Sequence, residues 1–331
     1  MSWWPEILRK RTEDWIYAEL PPDQVPPPAR TGEVDPETAY LSVFLRSARL
    51  VDVRRGLKTF YGVVHSTIKL PHRAGDATFS VVVAPAALRD IDANRLDRVI
   101  QLNQRLLGPV PYVGGDLELE VGLFSVATAD LVAPYLELLE TLSRTAGVAF
   151  ISSALPFAGP IVQGINLLAG GGDDTILEIG LSTTQVPPRQ GHFVVVRAPK
   201  GSFEVADLRV DAGDSRLVDG AGRALGEYPY IVLEIRADMQ RDDWRQIPEL
   251  KAADEAIVRE YRAGRRQETE EALVAFRRIA RTCADLLLED GERLAQKMED
   301  KYLEEGPPRP TTRAIGRREF PGLAGLELYG S

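Results

Sequence analysis

The chain has 331 residues, 44% hydrophobic and 27% charged, the balance of a folded globular protein with one large core or two. A formal net charge of -9 argues against a nucleic-acid-binding surface, because phosphate neutralisation needs clustered Lys and Arg. The single cysteine, Cys283, excludes an intrachain disulfide and a thiolate metal cluster, and fits a reducing cytoplasm.

Residues 3–20 predict a short amphipathic helix. Pro5 suits its first turn, and Trp4, Leu8, Trp15 and Ile16 fall near one face. The opening run MSWWPEILRKRTEDW lacks the continuous apolar stretch of a secretory signal. Pro21 to Arg30 reads as an extended proline-rich spacer. Residues 1–30 are therefore expected to form a separable arm. Its tryptophans Trp3, Trp4 and Trp15 are candidate contact residues.

From Tyr40 the pattern turns to strands. Leu41, Val43 and Leu45 alternate, as do Phe60, Val64 and Ile68 within 57–70, and Phe79, Val81 and Val83. Residues 92–107 carry a helical spacing in Leu96, Val99, Ile100 and Leu106. Asp116 to Val126 alternates cleanly: Leu117, Leu119, Val121 and Leu123 share one face, and Glu118 and Glu120 the other. That is a strand with one wet face. Asp130 caps an expected helix over 131–144.

The run from Thr145 to Gly172 contains no charged side chain and is broken by Pro156 and Pro160. Each half is too short to span a bilayer, which needs about 20 apolar residues. The run reads as a buried hairpin over a sheet, as a subunit interface, or as a conditional membrane element. Phe157 and Ile161 are its candidate contact residues.

Further strands are expected at 175–183, 192–198, 203–210, 215–218 and 228–236, with turn signals at Gly213 and at Asp219-Gly220-Ala221-Gly222. The chain then becomes helical. A helix over 245–263 breaks at Tyr261-Arg262-Ala263-Gly264. A second follows, with Leu273, Phe276, Ala280, Cys283, Leu287, Leu294 and Met298 on one stripe. The tail, 306–331, is rich in proline and glycine and is expected to dock through Phe320, Leu323, Leu326 and Tyr329.

The expected fold is an all-β core with α additions (α+β). Its centre is an antiparallel β-sandwich of eight or nine strands over 31–240, with a helical layer inserted at 86–172. A helical hairpin follows at 241–305. No repeat of solenoid or propeller length is visible.

Motifs for chemistry are missing. The sequence has no GxxxxGK[ST], no GxSxG and no HExxH. Gly170-Gly171-Gly172 precedes Asp173 and Asp174, which would repel a phosphate. His65, His72 and His192 are the only histidines, and their spacing implies no metal site. Cys283 on an apolar stripe is a core residue. Asp90, Asp92, Asp207, Asp211, Asp214 and Asp219 gather in loops, where aspartate forms turns and can also bind Ca²⁺. Arg54, Arg55 and Lys58, and Arg262, Arg265 and Arg266, read as solvated faces.

No catalytic residue, cofactor or metal is assigned. The sequence supports a non-enzymatic cytoplasmic binding or assembly protein, working through a protein partner or self-association and without nucleic acid. Its candidate contacts are Trp3, Trp4, Trp15, Phe157, Ile161, Phe320, Leu326 and Tyr329. One alternative is a membrane-active effector of a bacterial defence or toxin-like system, using 145–172. A second is an enzyme whose site no motif reveals. Abundant Ala, Arg, Gly and Pro with scarce Lys point to a GC-rich bacterial source.

Overall fold

The computed structural model describes residues 15–50, 54–55, 58–59, 61–83, 99–126, 175–199 and 201–304. Among the described residues the fold is mixed α+β, built mostly from antiparallel sheets, with three α-helices following the last strand. The strands in chain order begin with β1 (Trp15–Leu20), β2 (Gly32–Glu33), β3 (Tyr40–Arg49), β4 (Arg54–Arg55) and β5 (Lys58–Thr59). Next come β6 (Tyr61–Leu70), β7 (Ala77–Val83), β8 (Val99–Pro111), β9 (Leu117–Val126) and β10 (Thr175–Gln185). The last are β11 (Arg189–Arg197), β12 (Arg209–Val210), β13 (Leu217–Val218) and β14 (Tyr230–Asp238). The helices are α1 (Pro248–Arg262), α2 (Arg266–Thr282) and α3 (Leu288–Glu299).

The first sheet runs β1-β11-β14-β3-β8, with β2 also on β11, and the second runs β10-β9-β6-β7. The two-residue strands β4 and β5 pair with each other, as do β12 and β13. The period of two along each strand sends alternate side chains to opposite faces. Leu41, Val43 and Leu45 of β3 and Ile231, Leu233 and Ile235 of β14 thus meet Val64 and Ile68 of β6, Leu119, Val121 and Leu123 of β9, and Ile179 of β10 in one buried cluster. Each such side chain contributes about 1.5–3 kcal/mol by leaving water.

The outer face of the first sheet has two covers. At one end, Val194, Val196, Tyr230 and Val232 pack under Leu208, Val210 and Leu217 of the β12–β13 hairpin. At the other end Tyr40 packs into the helical layer with Trp244, Leu250, Phe276, Leu287 and Leu294. The apolar stripe read from the sequence is this buried face. Leu273, Phe276, Ala280, Cys283, Leu287, Leu294 and Met298 are all buried. Pro248 opens α1, where its missing N–H costs nothing. Gly264, at φ +70°, closes the turn after α1 in a conformation that glycine adopts without strain. The helix α3 approaches α2 at Gly291, where an added Cβ would lie 2.7 Å from the Ala280 carbonyl oxygen.

Several expectations are corrected. The helix read over 3–20 is strand β1 from Trp15 onward, paired along β11 from Trp15↔Arg197 to Leu20↔His192. The spacer is no free linker: Gln24 is buried and donates to the Ala206 carbonyl, and Arg30 reaches Asp238 at 2.6 Å. The helix read over 92–107 is strand from Val99, so 86–172 is not a wholly helical insertion. The strand read over 203–210 pairs only at Arg209–Val210, after a 3₁₀ turn at Val205–Asp207. The second long helix is two, broken at Cys283–Leu287, where arginines from elsewhere satisfy the freed carbonyls. Arg73 donates to the Leu286 carbonyl at 2.6 Å, and Arg241 to that of Asp285 at 3.3 Å. The readings at 131–144, 145–172 and 306–331 lie outside the described residues. Among the described residues no helix is long and apolar enough to cross a membrane.

Candidate functional site

Between its two covers, part of the outer face of the first sheet has no described element over it. Strand register decides what stands there. Phe44 of β3 lies opposite Arg105 of β8 on one side and Glu234 of β14 on the other, and Glu234 lies opposite His192 of β11. One step along, Ser42 lies opposite Arg236. Because Leu45 pairs with Leu233 and Ser47 with Val232, Arg46 is an extra residue in its strand. This bulge turns Arg46 to the outer face beside Phe44, as bulges do next to binding sites. Its partner strand is irregular too. Asn103 sits at φ +38°, and its side-chain oxygen accepts from Arg46 at 3.0 Å.

Three guanidinium groups surround the Phe44 ring. Arg46, Arg236 and Arg105 lie 4.8, 5.4 and 5.7 Å from its centroid. Each such contact is worth about 0.5–2 kcal/mol, by attraction of the cation to the ring quadrupole. Arg46 is locked further by Glu234, whose carboxylate accepts from its Nε at 2.6 Å. Burial holds the His192 imidazole below its ordinary range; Glu234 opposes this and Arg46 reinforces it. His192 is therefore neutral at neutral pH.

Beside this cluster opens a cavity of about 500 Å³, a size that suits a small ligand or a few side chains. Its walls are Ser42, Phe44, Arg105 and Arg236 from the strands, and the turn from Asp238 to Asp243 that leads to the helices. Met239 projects from that turn, 74% exposed.

The turn itself is fixed by a buried latch. Asp290 of α3 accepts from the Tyr40 hydroxyl at 2.8 Å, from the Arg241 backbone N–H at 3.0 Å and from Arg293 Nε at 2.8 Å. The Leu287 N–H donates to the Tyr40 hydroxyl at 2.9 Å. The Arg241 side chain is buried and donates to Asp243 at 2.7 Å and to the Pro109 carbonyl at 3.1 Å. Burial, with the Asp290 carboxylate adding to it, pushes the Tyr40 phenol far above its usual value. It stays a neutral donor.

The residues singled out from the sequence fall elsewhere. Trp15 opens β1, while Trp3, Trp4, Phe157, Ile161, Phe320, Leu326 and Tyr329 lie outside the described residues. The three histidines belong to different neighbourhoods. His65 is on the second sheet, where burial drives its pKa down to about 3. His72 lies 3.7 Å from Asp285, but burial lowers the imidazole and raises the carboxyl, so this is no strong ion pair. Burial and a hydrogen bond with Glu249 push the Cys283 thiol up to about 12.

The aspartates of the hairpin form turns. Asp211 accepts from the Gly213 N–H at 2.8 Å, and Asp219 from those of Ala221 and Arg223 at 3.0 and 2.9 Å. Asp90 and Asp92 lie outside the described residues. Among the described residues no three His, Cys, Asp or Glu side chains are grouped to hold a metal ion. Arg265 and Arg266 pair with Glu260 and Glu270 on the helix surface. The chain matches no family model, no curated protein and no solved structure.

The cluster around Phe44 was not read from the sequence. Its members stand far apart along the chain, and only strand register joins them. The one local signal is Arg46, a charged residue in the middle of strand β3.

Proposed function

We propose that this is a non-enzymatic binding protein of the bacterial cytoplasm that acts through contact with another protein. The paired sheets are read as one β-sandwich of nine long strands, with the C-terminal helices as a brace for its binding face. The observation that carries the reading is the strip around Phe44 on the first sheet. It joins an aromatic ring, arginines and an exposed methionine, residue types enriched where proteins meet. Supporting it, three groups often used in chemistry are committed elsewhere. His65 and Cys283 are held in their uncharged forms by burial, and Tyr40 is spent on the latch.

A photo-crosslinking residue placed at Met239 in living cells tests this. The expected result is a discrete adduct with one protein. The same residue at Val274, exposed on α2 at 68%, should not give that adduct. Identical adducts from both positions, or none from Met239, would remove the support for a partner at this strip.

A further inference from the structure

The arginines around Phe44 are not equally satisfied. Arg46 is held by Glu234 and Asn103. Among the described residues Arg236 pairs with one carboxylate, Asp238 at 3.6 Å, and that oxygen already accepts from Arg30 at 2.6 Å. The Arg236 Nε is buried and makes no hydrogen bond among the described residues. A buried guanidinium N–H without an acceptor is destabilising, and such groups are rare in folded proteins. Arg105 is little better placed, with bonds of 3.3 Å to Asp243 and to the Gly108 carbonyl. The Ser42 hydroxyl is beside them in the same wall. All three residues line one cavity, and the Phe44 ring in the same wall lies within cation–π distance of both guanidinium groups.

We infer that this cavity is a binding site for a single carboxylate, accepted by Arg236, Arg105 and the Ser42 hydroxyl. The planar fork of a guanidinium matches a carboxylate in two parallel bonds. Local charge decides between anions. In the cavity wall Arg105, Arg236 and Arg241 balance Asp238, Asp242 and Asp243. A wall without excess positive charge suits a monoanion better than a polyanion. A di- or polyphosphate would meet three aspartates in the cavity wall. Phe44, Pro109 and Met239 supply apolar surface for whatever bears the carboxylate. The inference extends the protein-binding reading but does not depend on it. The carboxylate belongs either to an acidic side chain of a partner or to a free organic acid.

The test is titration of the full-length protein, followed by NMR and calorimetry. The probes are benzoate, pyrophosphate, and a pair of short extended peptides that differ by one Glu→Gln change. Benzoate should bind saturably, more tightly than pyrophosphate, and shift the resonances of Ser42, Phe44 and Arg236. Arg236→Gln should weaken it about tenfold or more, with the melting temperature recorded to show the fold intact. Arg105→Gln gives a second reading on the same site. Arg281→Gln, which breaks an exposed pair with Glu292 on the helices, should change nothing. Selective binding of the Glu peptide assigns the source to a protein; binding of benzoate with neither peptide assigns it to a free acid. Either result supports the site, and the second leaves the partner reading to be judged by the crosslink alone. No saturable binding of any carboxylate, binding unchanged in both Arg236→Gln and Arg105→Gln, or tighter binding of pyrophosphate would overturn it.

Discussion

Replacing Tyr40 by Phe removes one oxygen from the latch and leaves the ring in place among the helices. Two losses follow. The Leu287 N–H loses its acceptor at 2.9 Å in a buried setting, which costs about 1–3 kcal/mol. Asp290 loses a donor at 2.8 Å but keeps the Arg241 N–H and Arg293, so its share falls at the low end of the about 1.5–3 kcal/mol usual for a charged acceptor. Together they predict a destabilisation of about 3 kcal/mol. With an unfolding entropy of about 2.1 cal/mol/K per residue, that lowers the melting temperature by about 4 °C. The loss is local, so amide exchange at Leu287 should accelerate about 100-fold, since each 1.4 kcal/mol is about a factor of ten. Urea denaturation and hydrogen exchange measure the two effects. A change below about 0.5 kcal/mol with unaltered exchange at Leu287 would refute the view that this hydroxyl holds the helices to the sheet.

Two further predictions concern buried titratable groups. The unfolded His65 takes a proton near its ordinary value of 6.5, whereas the buried one resists until about 3. Stability should therefore be full above pH 6.5 and fall as pH drops through this window, by about 1.4 kcal/mol per pH unit from this residue. His65→Gln should flatten that slope in denaturation curves taken from pH 7 to 4; an unchanged slope would show that His65 is not its source. Cys283, 3% exposed and with its thiol pushed up to about 12, should resist a thiol-reactive dye in the native protein at pH 8 and react in urea. Rapid labelling of the folded protein would contradict that burial.

Local pattern determined much of the scaffold by itself. The alternation of Leu117, Leu119, Val121 and Leu123 specified a strand and its buried face, because a period of two can satisfy only one face of a sheet. The helical stripe through Phe276 and Cys283 specified a buried face in the same way. Where the pattern misled, tertiary structure had altered the period. Strand β8 carries register shifts against β3, so Leu106 and Leu107 are both buried and the alternation is blurred into a helical spacing. The segment ending in Leu20 is a strand because β11 offers it a ladder of hydrogen bonds, a long-range gain that outweighs weak local preference. The cluster around Phe44 lay wholly beyond reach of sequence periodicity. Ser42, Arg105 and Arg236 become neighbours only through the pairing of three strands, and a bulge at Arg46 sets the last guanidinium beside Phe44. Composition determines that the chain folds around apolar strands and helices; register decides which charges face one another.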